Sequence, residues 1–239
     1  MVIREVTMAE KYLGALIFVL IISGVMVGIG CRKRDISAEE GSAKKLKQVE
    51  VRQYHGESLS SVNDFRENSI KGPQYIDRKS YRLRISGLIS NPRMYTYDDL
   101  LDKFRHYKKV VRLDCVEGWS VTILWEGLLV RDLLEEAVLS PKAKIVIFHA
   151  YDGYTTSFPV DYIMNNNIMI AYRMNDVVLP PSQGFPFRLV AESKWGYKWI
   201  RWITEIEVSD NLRYKGYWES RGYSNSGDLN KNFFDEETQ

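Results

Sequence analysis

Val110-Val111-Arg112-Leu113-Asp114-Cys115-Val116-Glu117-Gly118-Trp119-Ser120 reads as a strand that runs out into a turn. Val111, Leu113 and Cys115 alternate at the period of a strand with one buried face. The Glu-Gly-Trp-Ser that follows supplies a glycine and polar residues for a tight turn. Cys115 is one of two cysteines in 239 residues, and it stands where the strand opens, beside Asp114 and Glu117. A lone cysteine is most often a small core hydrophobe. A thiol at a strand's open end, with a loop next to it, is also where a ligand can come close. On these residues alone both readings stay open.

Outward from that stretch the pattern is mixed. Tyr81–Ile89 alternates at period two and predicts a strand with a glycine break. Asn91-Pro92 is a turn, and Thr96 is placed to cap a short helix that begins at Tyr97. Trp125-Glu126-Gly127 reads as a turn, followed by an amphipathic helix over Leu128–Ala137. Ile145–Ala150 predicts a buried strand, and Asp152-Gly153 a turn into another at Thr155–Phe158. A short helix over Asp161–Asn166 and a strand over Ile168–Arg173 follow. Asn175-Asp176 turns a hairpin into Val177–Leu179, and further strands are expected at Phe187–Ala191 and Ile200–Val208. Many strands with short helices and no regular βαβ alternation predict a β-rich α+β domain.

Composition narrows the function classes. Hydrophobic residues make up 45% and charged residues 27%, ordinary globular values. A net charge of +2 gives no basic field for nucleic acid. Cys31 and Cys115 do not form a disulfide framework, and His55, His106 and His149 are too scattered to suggest a zinc site.

Tyr12–Gly30 is a charge-free apolar run of 19 residues, long enough to cross a bilayer as a helix. An uncleaved anchor, a cleaved signal peptide and a lipoprotein signal ending at Cys31 all fit, and the length favours the anchor. Arg32-Lys33-Arg34 behind it favours a domain facing the cytoplasm. The expected organisation is a membrane segment over 1–31, a polar tether over 32–47, a folded domain over 48–225 and a polar tail over 226–239.

Cys115-Val116-Glu117-Gly118-Trp119-Ser120, Trp125-Glu126-Gly127, Ala150-Tyr151-Asp152-Gly153-Tyr154, Gly184-Phe185-Pro186-Phe187-Arg188 and Trp195-Gly196-Tyr197-Lys198-Trp199 recur, in this order and at these spacings, in a known family. The chain resembles the molybdopterin domain of the sulfite oxidase superfamily over about residues 60–225, most of all the compact prokaryotic members and the methionine-sulfoxide reductase catalytic subunits. The resemblance implies a sulfite oxidase-type fold and one Mo held by the dithiolene of one molybdopterin and by the Cys115 thiolate, a soft ligand suited to such a metal. It implies further cofactor contacts from Asn63, Arg66, Glu67, Gln183, Arg188 and the loop Gly196, Tyr197 and Lys198, with Tyr154 as the active-site tyrosine beside Cys115. Each has an ordinary alternative: Asn63 can cap a turn, Arg188 can face water, and Tyr154 and Trp119 can simply pack. In Arg66 the chain departs from the aromatic residue of those relatives.

The function expected from these readings is two-electron oxygen-atom transfer on a small molecule. Glu117, close to the metal ligand, would repel sulfite, so an uncharged S-oxide or N-oxide is the expected substrate. Sulfite oxidation, a ligand-binding domain on the same fold and a cysteine-nucleophile enzyme are the alternatives. With no haem motif and too little chain after residue 225 for a dimerisation domain, electrons are expected from a separate partner, a membrane haem protein or the quinone pool, near the membrane segment at residues 12–30.

Overall fold

The computed structural model describes residues 4–5 and 49–235. The apolar run at 12–30, Cys31 and the tether at 32–47 lie outside the described residues. No helix of the described residues is long and apolar enough to cross a membrane.

Thirteen strands, three short α-helices and three 3-10 turns make up the described elements. One sheet contains β1 (Arg4–Glu5), β6 (Tyr107–Asp114), β7 (Ser120–Leu129), β10 (Met169–Met174) and β11 (Val177–Val178) in that spatial order, and β12 (Arg188–Val190) also pairs with β10. The second runs β5 (Arg93–Thr96), β4 (Arg82–Gly87), β13 (Ile203–Ser209), β8 (Ile145–Ala150) and β9 (Thr155–Pro159). Only β13 and β4 pair in parallel among these neighbours. A small hairpin, β2 (Gln53–Tyr54) with β3 (Glu57–Ser58), lies before them. The helices are α1 (Tyr97–Lys103), α2 (Val130–Ala137) and α3 (Val160–Asn165). The β-rich α+β class is as the sequence predicts.

Both sheets share one core. Leu83 and Ile85 of β4, Phe148 of β8 and Ile206 of β13 belong to the same buried cluster as Ile123 and Trp125 of β7 and Ile170 of β10. The far face of the first sheet is covered as well. Leu59 packs on Val110 and Leu124, and Ser60 and Thr122 exchange hydrogen bonds, Ser60 N–H to Thr122 O at 2.8 Å and Thr122 N–H to Ser60 Oγ at 2.9 Å. Covering both faces explains why β7 reads as a nearly continuous apolar run and not as an alternation.

Local signals act as expected at two places. Thr96 accepts from Asp99 N–H while Asp99 accepts from Thr96 N–H, a complete capping box for α1. Asn175 and Asp176 both have positive φ, 46° and 61°, the two-residue turn whose twist suits a hairpin. Trp125-Glu126-Gly127 corrects the sequence reading, because it lies inside β7 and not in a turn. The glycine serves close approach: a Cβ at Gly127 would stand 2.4 Å from Ile170 O and 2.8 Å from Ala171 Cα, beside the register shift between Ala171 and Arg173.

After β13 the chain returns across β9. Tyr217 N–H donates to Thr155 O at 2.9 Å, and Glu219 enters the interior on a short 3-10 turn. There it meets Lys198, and neither side chain has any exposure. Lys198 Nζ donates to Glu219 Oε1 at 2.6 Å, Ser157 O at 2.8 Å and Asn225 O at 3.0 Å, and Thr156 Oγ1 donates to the same carboxylate at 2.6 Å. A buried pair repays its desolvation only when its remaining polar atoms are satisfied, and removing one partner strands the other charge. Lys198→Met is therefore expected to destabilise the domain by about 3–5 kcal/mol. The double variant Lys198→Met/Glu219→Leu should cost less than the two single losses added together, as read by a double-mutant cycle in urea.

Candidate active site

The end of β6 carries the thiol. Cys115 N–H donates to Trp119 O at 2.9 Å and Gly118 N–H to Cys115 O at 3.0 Å. Gly118, at φ +82°, supplies the left-handed residue that closes this turn. The turn leaves Cys115 buried but facing a cleft that encloses about 920 Å³ of empty space, its mouth included. The turn Gly196–Lys198 lies against the same strand end: a Cβ on Gly196 would be 3.3 Å from both Asp114 O and Cys115 Cα. Glycine lets that loop settle on the ligand strand.

The surroundings hold the thiol protonated. Burial pushes Cys115 up from its ordinary value, with the Glu117 carboxylate acting in the same direction; the Glu117 N–H and the Arg201 guanidinium pull it down. A soft cation would displace that proton on binding.

Arg188 stands deeper in the cleft. Its Nη1 donates to Gln183 O at 3.3 Å and Gln183 Oε1 at 3.1 Å. The guanidinium lies 5.4 Å over Phe65 and 5.1 Å over Trp125, a cation–π arrangement. Burial, with Arg201 nearby, pushes it down to about 9. Its Nε is buried without a hydrogen-bond partner among the described residues, and so is Ser69 Oγ. Both residues line the cleft. Buried polar atoms left unmet cost stability, and a ligand with polar edges and an anionic group would satisfy them. One thiol that a soft metal would deprotonate, an unmet guanidinium donor and a backbone loop packed on the end of β6 fit a pterin dithiolene cofactor with a metal.

The expected residues divide. Cys115, Tyr154, Arg66, Gln183, Arg188, Gly196 and Tyr197 line the cleft together. The other three do not line it. Asn63 is exposed and its N–H donates to Ser61 Oγ at 3.2 Å, so its geometry is that of a turn residue. Glu67 accepts from Arg201 Nη1 at 3.0 Å. The Lys198 ammonium is turned inward onto Glu219, on the segment that follows β13, and does not offer its charge to the cleft. Tyr154 donates its hydroxyl to Tyr197 O, and burial holds that phenol well above its ordinary value.

Sequence reasoning missed Arg201, Asn68, Ser69, Trp218 and Tyr223, all in the lining. Arg201 falls inside a stretch read as strand. It is aimed at the cleft by the segment before β13, where Trp202 has φ +58° and donates Nε1–H to Pro181 O at 2.7 Å.

The family model of the oxidoreductase molybdopterin binding domain matches residues 70–218. An uncharacterized oxidoreductase, YuiH, of Bacillus subtilis is 32% identical over 157 residues, 65% of this chain and 78% of that protein. The putative protein-methionine-sulfoxide reductase subunit YedZ1 of Azospira oryzae is 32% identical over 149 residues, 62% of this chain and 56% of its own length. The protein-methionine-sulfoxide reductase catalytic subunit MsrP of Campylobacter jejuni is 30% identical over 171 residues, 64% of this chain and 57% of its own. The chain thus spans little more than half of these two relatives. Among solved structures, the sulfane dehydrogenase SoxCD of Paracoccus pantotrophus shares the fold, with a TM-score of 0.58 at 22% identity over 85% of this chain and 59% of that one. With a family match over most of the described domain, the chain belongs to the oxidoreductase molybdopterin-binding domain family and is a molybdenum-dependent oxidoreductase of the sulfite oxidase superfamily.

Proposed function

We propose that the chain reduces an uncharged S-oxide or N-oxide by two-electron oxygen-atom removal, with Cys115 as the protein's ligand to the molybdenum. The observation that carries this reading is the Glu117 carboxylate set against the Cys115 thiol. A dianion approaching the same point would meet a like charge at close range. The guanidiniums of the cleft do not reverse that balance: Arg66, Arg188 and Arg201 are offset by Glu117, Asp152 and the Glu67 paired with Arg201. The two relatives named for methionine-sulfoxide reduction support the same direction.

The molybdopterin, when bound, would supply two-electron oxygen-atom-transfer chemistry. The rest falls to the chain. Cys115 holds the metal as thiolate, and Arg188 and Ser69 meet the cofactor's polar edge with their unpartnered donors. Phe65, Trp119, Trp218 and Tyr223 form apolar walls that exclude water and accept the organic groups of a sulfoxide. Overall, a sulfoxide, two electrons and two protons give a sulfide and water. The electrons come from a separate donor, a membrane haem protein or the quinone pool, and residues 12–30 anchor the domain at the membrane with the cleft on the cytoplasmic side.

Sulfite oxidation is the competing reading, favoured by the unmet Arg188 donor. The purified chain is expected to contain about one molybdenum per chain, and Cys115→Ser to lose it or to lose the metal–thiolate spectral signature. A molybdenum-free wild type, from a host that loads other such enzymes, would sink the proposal. With a reduced viologen as electron donor the wild type should turn over methyl sulfoxides, and with ferricyanide as electron acceptor it should leave sulfite unoxidised. Glu117→Gln should raise sulfite kcat/KM about tenfold or more, the effect of removing ~1.4 kcal/mol of repulsion. Efficient sulfite oxidation by the wild type would instead establish the competing reading. Protease added to spheroplasts should leave the domain intact, whereas its digestion there would place it on the outer side.

A further inference from the structure

Asn68 stands beside the thiol. Its Nδ2 lies 3.8 Å from Cys115 Sγ, and its Oδ1 accepts from Arg201 Nη2 at 3.2 Å. A carboxamide has one donating end and one accepting end, whereas a guanidinium only donates. Arg201 therefore decides the orientation: the amide oxygen turns to the arginine and the N–H turns to sulfur. Arg201 is itself fixed, with Nη1 donating to Glu67 Oε2 and to Ser182 O, each at 3.0 Å. Glu67 is tied back in turn, its Oε1 accepting from Ser69 N–H at 2.7 Å. The chain Glu67–Arg201–Asn68 thus ends on Cys115 Sγ.

Such a contact matters most when the sulfur is a metal ligand. Hydrogen bonds to ligating sulfur draw electron density from it and help set the reduction potential of the centre. A donor on the thiolate stabilises the more electron-rich, reduced metal. We propose that Asn68 is a positioning residue that raises the reduction potential of the molybdenum through an N–H···S hydrogen bond to Cys115, with Arg201 and Glu67 orienting its amide. This rests on Cys115 as the metal ligand and is independent of which oxide is reduced.

The test is an EPR-monitored redox titration of the molybdenum-loaded full chain. Asn68→Leu keeps the side chain's approximate size and removes the N–H. It is expected to move the Mo(V)/Mo(IV) midpoint to a more negative value with molybdenum content per chain unchanged. Arg201→Lys keeps the cleft charge but cannot hold the Glu67 carboxylate, Ser182 O and the amide in one planar fork, so its midpoint should move the same way by a smaller amount. An unmoved midpoint in either loaded variant overturns the proposal. If Asn68→Leu does not load, Asn68→Ala is read in its place, and failure of both to take up molybdenum overturns the tuning role in favour of cofactor retention. Absence of molybdenum from the wild type is a separate result, which removes the Cys115 reading itself.

Discussion

The ladder between β6 and β7 fixes eight consecutive residue pairs, from Tyr107 with Gly127 to Asp114 with Ser120. Cys115 sits in the turn that closes this ladder. A strand register cannot slip by one residue without sending every side chain to the other face, and here both faces are committed. Trp125 faces the main core, while Leu124 and Val110 lie under Leu59. Cys115, one residue past the ladder, is therefore held at one height and one direction. Trp125 also donates Nε1–H to Val111 O at 3.2 Å, which ties the ladder to the ring on which Arg188 leans. The thiol and the deepest cation of the cleft are positioned by the same pair of strands.

That constraint was legible where sequence periodicity and turn chemistry act locally. The alternation of Val111, Leu113 and Cys115, the Thr96 cap and the Asn175-Asp176 hairpin all owe their form to residues within a few positions. Gly127 was misread because a glycine gives the same letter for two physical needs, freedom of φ and room for a neighbouring backbone. Only the pairing of β7 with β10, across more than forty residues, reveals that the second applies. Arg201 and Asn68 carried no local signal. An arginine in an apparent strand and an asparagine in a polar loop acquire meaning only when the fold brings both to Cys115.

Lys198 illustrates the opposite failure. Its place in a Gly-Tyr-Lys turn suggests a cation offered to an anion, and the family resemblance strengthens that expectation. A lysine stem of four carbons can reach either side of the turn, however, and the choice depends on which side lowers the cost of burial. The segment that follows β13 supplies Glu219 and the Asn225 carbonyl on one side, and β9 adds the Ser157 carbonyl. The ammonium goes there, and the turn it anchors presents Tyr197 and Gly196 to the cleft. The residue acts on the site through the loop it pins, not through its charge.

Arg188 and Arg201 divide the positive charge of the cleft by different means. Burial lowers both below the ordinary arginine value, and Arg201 adds to the cost of keeping Arg188 charged. Arg201 is compensated by Glu67, an ion pair at the cleft's edge. Arg188 has no carboxylate partner among its hydrogen bonds and rests on the faces of Phe65 and Trp125, with one nitrogen unmet. A core optimised for stability alone would not keep an arginine in that state, since an apolar residue of similar volume would avoid the desolvation. Local rules are broken chiefly where function requires it. The cost falls on the empty domain and is recovered when an anionic group arrives at a donor that needs no reorganisation to receive it. The aromatic rings keep the guanidinium aimed in the meantime, so the strength of the site and the instability of the cleft without its ligand share one cause.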